Sequence, residues 1–177
     1  MARIPYQPSD IAEPKDLVAA IRARRGGALL NLDRMLLHSA PFANGWNAFL
    51  RAVRTELTLA PKLRELAMCA VATLNRADYE YQQHAPELLK AGGSAAQIEA
   101  LLTPEDCVGD SALFDAAERA VLQLTIEMTR GVEVSDQTMA AVRSALPNDQ
   151  QAVELVGVIA AYNMVSRFLV ALKIEPE

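Results

Sequence analysis

Residues 63–101 read LRELAMCAVATLNRADYEYQQHAPELLKAGGSAAQIEAL, and this stretch decides the fold. Its first part, LAMCAVATL (66–74), carries no charge and keeps a helical rather than an alternating spacing. Pro61, just upstream, suits the first residue of a helix that runs through Leu74. Asp78 is a candidate N-cap for a second helix, which Gly92–Gly93 should end. Ser94, with Gln97 three residues on, has the form of a capping box ahead of IEALL. Only about three residues separate the first two helices, and so short a link makes them antiparallel neighbours.

Helical signals continue in both directions, and no convincing alternating strand interrupts them. Pro14 opens a helix to about Arg25 that Gly26–Gly27 stops. Asn31 or Asp33 caps a short helix through MLLHS, and Pro41 opens one bearing Trp46, Phe49, Leu50 and Val53. Residues 102–111, LTPEDCVGDS, read as the clearest loop. Beyond it helices are expected at about 114–130, 135–146 and 149–173, the last two starting at Ser135 and Asn148. Residues 1–13, rich in proline, form an extended arm. The expectation is one all-α domain over 1–177.

The chain is 51% hydrophobic and carries 17 basic against 22 acidic side chains, a globular profile. Its net charge of −5 argues against a nucleic-acid surface, which needs a basic footprint. Arg22, Arg24 and Arg25 read as a solvated helix end. The start of the sequence has no apolar core of a signal peptide. Residues 155–172 are apolar enough to be tested as a membrane span. Asn163, Ser166 and Arg167 interrupt them, which favours a buried helix and no membrane. Cys69 and Cys107 have no CxxC or metal-ligand spacing. Together with the missing export signal they fit a reducing cytoplasm.

Two helices, at 66–74 and 155–172, are apolar around most of their circumference and must be covered on all sides. Either helical faces of further copies cover them in a homo-oligomer, or they are central helices of one chain.

The hairpin also gathers chemistry. Glu65 lies ten residues before the turn at Asn75, about 15 Å down its helix, and His84 about 9 Å down the partner helix. Glu80, four residues before His84, shares its face. If those faces meet, Glu65, Glu80 and His84 line one pocket. A carboxylate at the mouth of an apolar helix has a raised pKa unless paired, a state suited to proton transfer. Two plainer readings stand beside this one: Glu65 paired at the surface with Arg51, Arg54 or Arg64, and His84 as a solvent-facing partner of Glu80. Tyr79 and Tyr81 read first as core or interface aromatics. Pro86 removes a donor just after His84, where a kink is expected.

Residues 63–101 resemble the core of the carboxymuconolactone decarboxylase family, which includes the AhpD-type alkylhydroperoxidases. The shared pattern is a helical Glu, a short turn, a Glu or Cys four residues before a His, and a small-residue-plus-Gly stop. MLLHSAPFANGWNAFLRAVR (35–54) is similar to the upstream helix of longer members, and VELVGVIAAYNMVSRFLVALKI (153–174) to their C-terminal helix. The resemblance thus covers 35–101 and 114–173. It implies an AhpD-like helical bundle assembled as a trimer or as a hexamer built from two trimers, with no cofactor and no metal.

In peroxidase members a Glu and a His form a proton relay that activates a Cys-x-x-Cys thiolate. Glu65 and His84 match the relay, Tyr79 stands where a further relay residue can be, and the cysteine positions fall on Ala77 and Glu80. Without a thiolate, peroxide attack has no nucleophile. Cys69 shares a face with Glu65 but reads as a small buried hydrophobe. The decarboxylase branch lacks the CxxC and keeps a Glu four residues before the His, as Glu80–His84 does. The resemblance therefore implies a cofactor-independent acid–base lyase on a small carboxylated lactone or related acid. In that reading His84 is the general acid, Glu80 orients it and Glu65 completes the relay. Tyr79, Tyr81 and Trp46 supply walls, and Arg64, His38 or Arg167 anchors a carboxylate. A peroxidase using Cys69 and a non-catalytic helical oligomer that binds a small ligand are the alternatives.

Overall fold

A computed structural model describes residues 1–177. The fold is all-helical, with ten helices and no strand. By its internal contacts the chain divides into two compact units, residues 1–56 with 169–177 and residues 57–168. The single domain expected over 1–177 is therefore described unit by unit.

The first unit holds α1 (Lys15–Arg25), α2 (Asn31–Leu36) and α3 (Ala40–Thr55). Gly26, at φ 77°, ends α1 in the left-handed conformation that glycine takes without strain. The cap of α2 is neither Asn31 nor Asp33. Leu30 is the N-cap, and Asp33, three residues on, accepts its backbone N–H at 3.1 Å. The helix also stops at Leu36, before His38 and Ser39. The N-terminal arm is anchored: Arg3 donates its backbone N–H to Leu172 O and its guanidinium to Ala171 O, at 2.9 and 2.8 Å.

The second unit holds α4 (Pro61–Leu74), α5 (Asp78–Lys90), α6 (Ala95–Ala100), α7 (Pro104–Cys107), α8 (Ala116–Arg130), α9 (Asp136–Ala145) and α10 (Asp149–Leu172) up to Phe168. Pro61 is the first residue of α4, as its missing N–H requires. Every residue from Glu65 to Ala72 is buried, so all faces of this helix are covered within the chain. It packs chiefly on α5 and α8. Glu154 of α10 accepts from the backbone N–H groups of Thr58 and Leu59 at 2.9 and 2.8 Å, fixing the approach to α4.

Two expectations here need correction. Asp78 is the first residue of α5 and Ala77 its N-cap, because the Ala77 carbonyl already accepts from Glu80 and Tyr81. The segment 102–111 is not a plain loop, since Pro104 starts the one-turn helix α7. The capping box of α6 forms as expected, with Gln97 N–H on Ser94 Oγ and Ser94 N–H on Gln97 Oε1, both at 3.1 Å. Gly93 admits no side chain, since a Cβ there would meet Leu88 Cγ at 2.7 Å. By length and composition α10 could cross a membrane, but half of its most apolar window is buried inside the protein.

Candidate active site

The turn between α4 and α5 is three residues, Asn75 to Ala77, with Arg76 at φ 57°. It folds the helices into the antiparallel hairpin and brings Glu65 and His84 together. His84 Nδ1 lies 2.7 Å from Glu65 Oε2, and their side chains are only 12% and 9% exposed. A carboxylate only accepts, so Nδ1 carries the proton in this contact, and Nε2 is left as the reactive end of the ring. Arg64 Nε approaches the other oxygen, Glu65 Oε1, at 3.5 Å. Of the plain readings of Glu65, pairing with Arg64 is the one seen, and it occurs in a buried setting.

These contacts decide the charge of Glu65. Burial pushes its pKa up, but the hydrogen bond and charge of His84, with help from Arg64, more than offset this. The carboxyl is held below its ordinary range. The raised value expected of an unpaired carboxylate does not arise, because this one is paired.

Glu80 is 2% exposed and lies one turn before His84 on α5. His84 is thus not a solvent-facing partner of a surface glutamate. Cys69, one turn along α4 from Glu65, is fully buried. Burial, then the negative charges of Glu65 and Glu80, push its thiol well above the ordinary range. Cys107, expected in a loop, ends α7 and is buried as well.

Tyr79 is buried. Tyr81 spends its hydroxyl on the Ile98 carbonyl, and burial, with Cys69 and Cys107 nearby, pushes its pKa up to about 12. Trp46 and His38 belong to the other compact unit. Trp46 is buried in α3, edge-on to Phe42 with ring centroids 5.7 Å apart. His38 donates from Nε2 to the Pro5 carbonyl at 2.7 Å and accepts at Nδ1 from Gln7 at 3.1 Å. Both ring nitrogens are occupied. Arg167, another candidate anchor, donates to Asn163 Oδ1 at 2.7 Å. Pro86 lies inside α5, which continues to Lys90.

One contact of the site was not anticipated. The ring of Tyr162, fully buried in α10, meets His84 edge to face, with centroids 4.9 Å apart and an interplanar angle of 84°. The neighbouring Asn163 holds this part of α10 in register. It accepts from Asn75 at 3.0 Å and donates to Thr129 Oγ1 at 3.0 Å, linking the α4–α5 turn, α8 and α10. Asn75 also donates to Ser166 Oγ at 2.7 Å. The only signal in the sequence is the resemblance of 153–174, the stretch that contains Tyr162 and Asn163. No group of three or more His, Cys, Asp or Glu side chains is arranged to hold a metal ion.

Known structures share this architecture. The chain matches a peroxidase-related protein with an alkylhydroperoxidase AhpD core from Ralstonia eutropha JMP134 at a TM-score of 0.83. That match has 18% identity and covers 99% of this chain and 92% of the other. A peroxidase-related protein from Silicibacter sp. TM1040 matches at a TM-score of 0.80 and 20% identity, over 99% and 90% of the two chains. The debrominase Bmp8, in complex with 2,3,4-tribromopyrrole, matches at 0.81 with 13% identity, over 100% and 94%. At these identities the likeness is one of fold. No curated protein matches the sequence significantly. Residues 40–123, which contain the whole α4–α5 hairpin, match the model of the carboxymuconolactone decarboxylase family, and the fold around them is an AhpD-like all-α one.

Proposed function

We propose that the protein is a cofactor-independent acid–base lyase acting on a small carboxylated lactone or related acid. The observation that carries this reading is the buried 2.7 Å contact between Glu65 and His84. It fixes the imidazole orientation and leaves Nε2 to exchange a proton with substrate. In the reaction, the bond between a ring carbon and its carboxylate breaks and CO2 leaves. The electron pair enters the conjugated dienolate, and His84 Nε2 delivers a proton to carbon. Water then restores the proton to His84. Glu65 stabilises the imidazolium before transfer, Glu80 orients the ring from the preceding turn, and the apolar surroundings disfavour the substrate carboxylate relative to neutral CO2. Tyr79, beside Glu80, is assigned to the pocket wall.

The peroxidase alternative has less support, because Ala77 and Glu80 occupy the cysteine positions and Cys69 is fully buried with a raised pKa. We place the activity in the cytoplasm, in keeping with two unpaired cysteines. We also assign a homo-oligomer, a trimer or a hexamer built from two trimers. Supporting it, α3 exposes Phe42 and Phe49, and α10 exposes Val153 and Met164.

The test is CO2 release from a panel of carboxylated unsaturated lactones and related acids, with chelator present and no cofactor added. Turnover of at least one panel member is expected. No turnover across the panel would favour the non-catalytic, ligand-binding alternative.

A further inference from the structure

The first unit carries a concentration of positive charge that the acid–base site does not use. A hollow of about 60 Å³ there is lined by Arg24, Arg25, Arg51 and Arg54, by a single carboxylate, Asp33, and by the indole of Trp46. Asp33 is 1% exposed and already engaged. It holds Arg25 Nε at 3.0 Å and Arg24 Nη2 at 3.4 Å, and it accepts the Leu30 N–H. The same Nη2 of Arg24 donates to Asn47 Oδ1 at 2.7 Å. Arg51 reaches Glu56 at 2.6 Å across an exposed surface, a weak pairing in water. In a chain of net charge −5, this hollow draws four guanidinium groups together, with Asp33 the carboxylate of its lining and Glu56 on Arg51. Burial and the charge of Arg25 lower the pKa of Arg24, and Arg54 lowers it further against the opposing pull of Asp33. An anion in the hollow would relieve that repulsion.

A second groove, of about 330 Å³, begins where the hollow ends. Arg24, Asn47 and Arg51 line both, and Leu17, Ala20, Ile21 and Ala48 make the groove's apolar floor. The two features are complementary to one kind of molecule. The hollow has room for a few water-sized groups, enough for a carboxylate or phosphate head, and planar guanidinium forks suit such oxyanions. The floor suits a short hydrocarbon or aryl body.

We propose that this unit binds a small amphiphilic oxyanion, its carboxylate or phosphate head among Arg24, Arg51 and Arg54 and its apolar body along Leu17, Ala20, Ile21 and Ala48. The site shares no residue with Glu65, Glu80 and His84, and the proposal is independent of the lyase reading.

Trp46 is the only tryptophan in the chain and lines the hollow, so its fluorescence reports occupancy directly. The full chain is titrated with octanoate, octyl phosphate and inorganic phosphate. Saturable changes are expected with at least one amphiphile, and inorganic phosphate should bind about tenfold or more weakly, having no apolar body. The tighter of octanoate and octyl phosphate assigns the head group. Arg51→Gln removes an exposed head contact and should weaken the amphiphile about tenfold. Ala20→Glu, at an exposed helical position, should weaken it comparably by placing a charge on the apolar floor. Circular dichroism checks that both variants stay folded. The proposal is overturned if neither amphiphile saturates at millimolar concentration, if inorganic phosphate binds as tightly, or if both folded variants bind like the unaltered chain.

Discussion

Glu65 and His84, on successive antiparallel helices, meet through a 2.7 Å contact between Oε2 and Nδ1, with both side chains almost shut off from solvent. The contact ties α4 to α5 and polarises the imidazole at once. Its structural and chemical roles separate in different measurements.

The pH dependence of stability reports the structural role. Glu65 has a depressed folded pKa, and a carboxyl of that kind stabilises the fold above its unfolded value. The contribution fades as pH falls through the folded value. Near neutrality, Glu65→Gln should cost about 1–3 kcal/mol in urea denaturation. The gap between the unaltered chain and the variant should narrow as pH drops from about 5 to about 3, below the ordinary carboxyl range. A gap that holds or widens with acid would contradict the pairing.

A second carboxylate gives a sharper acid prediction away from the site. Glu127 accepts from Thr138 Oγ1 at 2.6 Å, Gln123 at 2.7 Å and the Ser135 N–H at 2.8 Å, securing the start of α9 against α8. These hydrogen bonds, that of Thr138 foremost, lower its pKa to about 2. Its contribution is complete above about 4.5 and disappears as pH approaches 2. Glu127→Ala should destabilise the protein by about 1 kcal/mol at neutral pH, where loss of three acceptor bonds is partly made up by water. Denaturation midpoints of the two proteins should converge toward pH 2.

Tyr162 should act as a positioning residue. Its edge-to-face contact packs against the His84 ring and fixes the ring's plane. Tyr162→Leu keeps the volume mostly filled and removes the ring interaction, worth about 0.5–1.5 kcal/mol. The expected outcome is a lower kcat with KM little changed, and partial rescue by Tyr162→Phe. Equal kcat in all three proteins would assign Tyr162 to the core alone.

Much of this was legible in local sequence. The bounds of α4 follow from Pro61 and the uncharged run that precedes the turn, and the meeting of Glu65 with His84 follows from two helical rises and a three-residue link. The cap of α5 was misread at Asp78 because the carbonyl of Ala77, which no side chain advertises, starts the helix. α7 escaped because a single turn is too short to show a period. The contact of Tyr162 with His84, and the gathering of Arg24 with Arg51 and Arg54, join residues far apart in sequence. Pairings of that kind leave no local signature.

The thiols separate the lyase from the peroxidase reading. Both cysteines are buried and their pKa values are raised, chiefly by burial. A disulfide reagent should modify neither Cys69 nor Cys107 in the native protein within minutes, and both after denaturation. Cys69→Ala should retain lyase turnover, and neither protein should consume peroxide. Rapid labelling of Cys69, with peroxide consumption lost in the variant, would restore the peroxidase reading.

The most direct test of the central claim is the turnover of His84→Gln on the best substrate of the lactone panel, measured as CO2 release alongside a melting curve. Loss of the general acid should lower kcat by about 10²–10⁴-fold while the fold persists. Turnover unchanged in a folded His84→Gln protein would contradict the account.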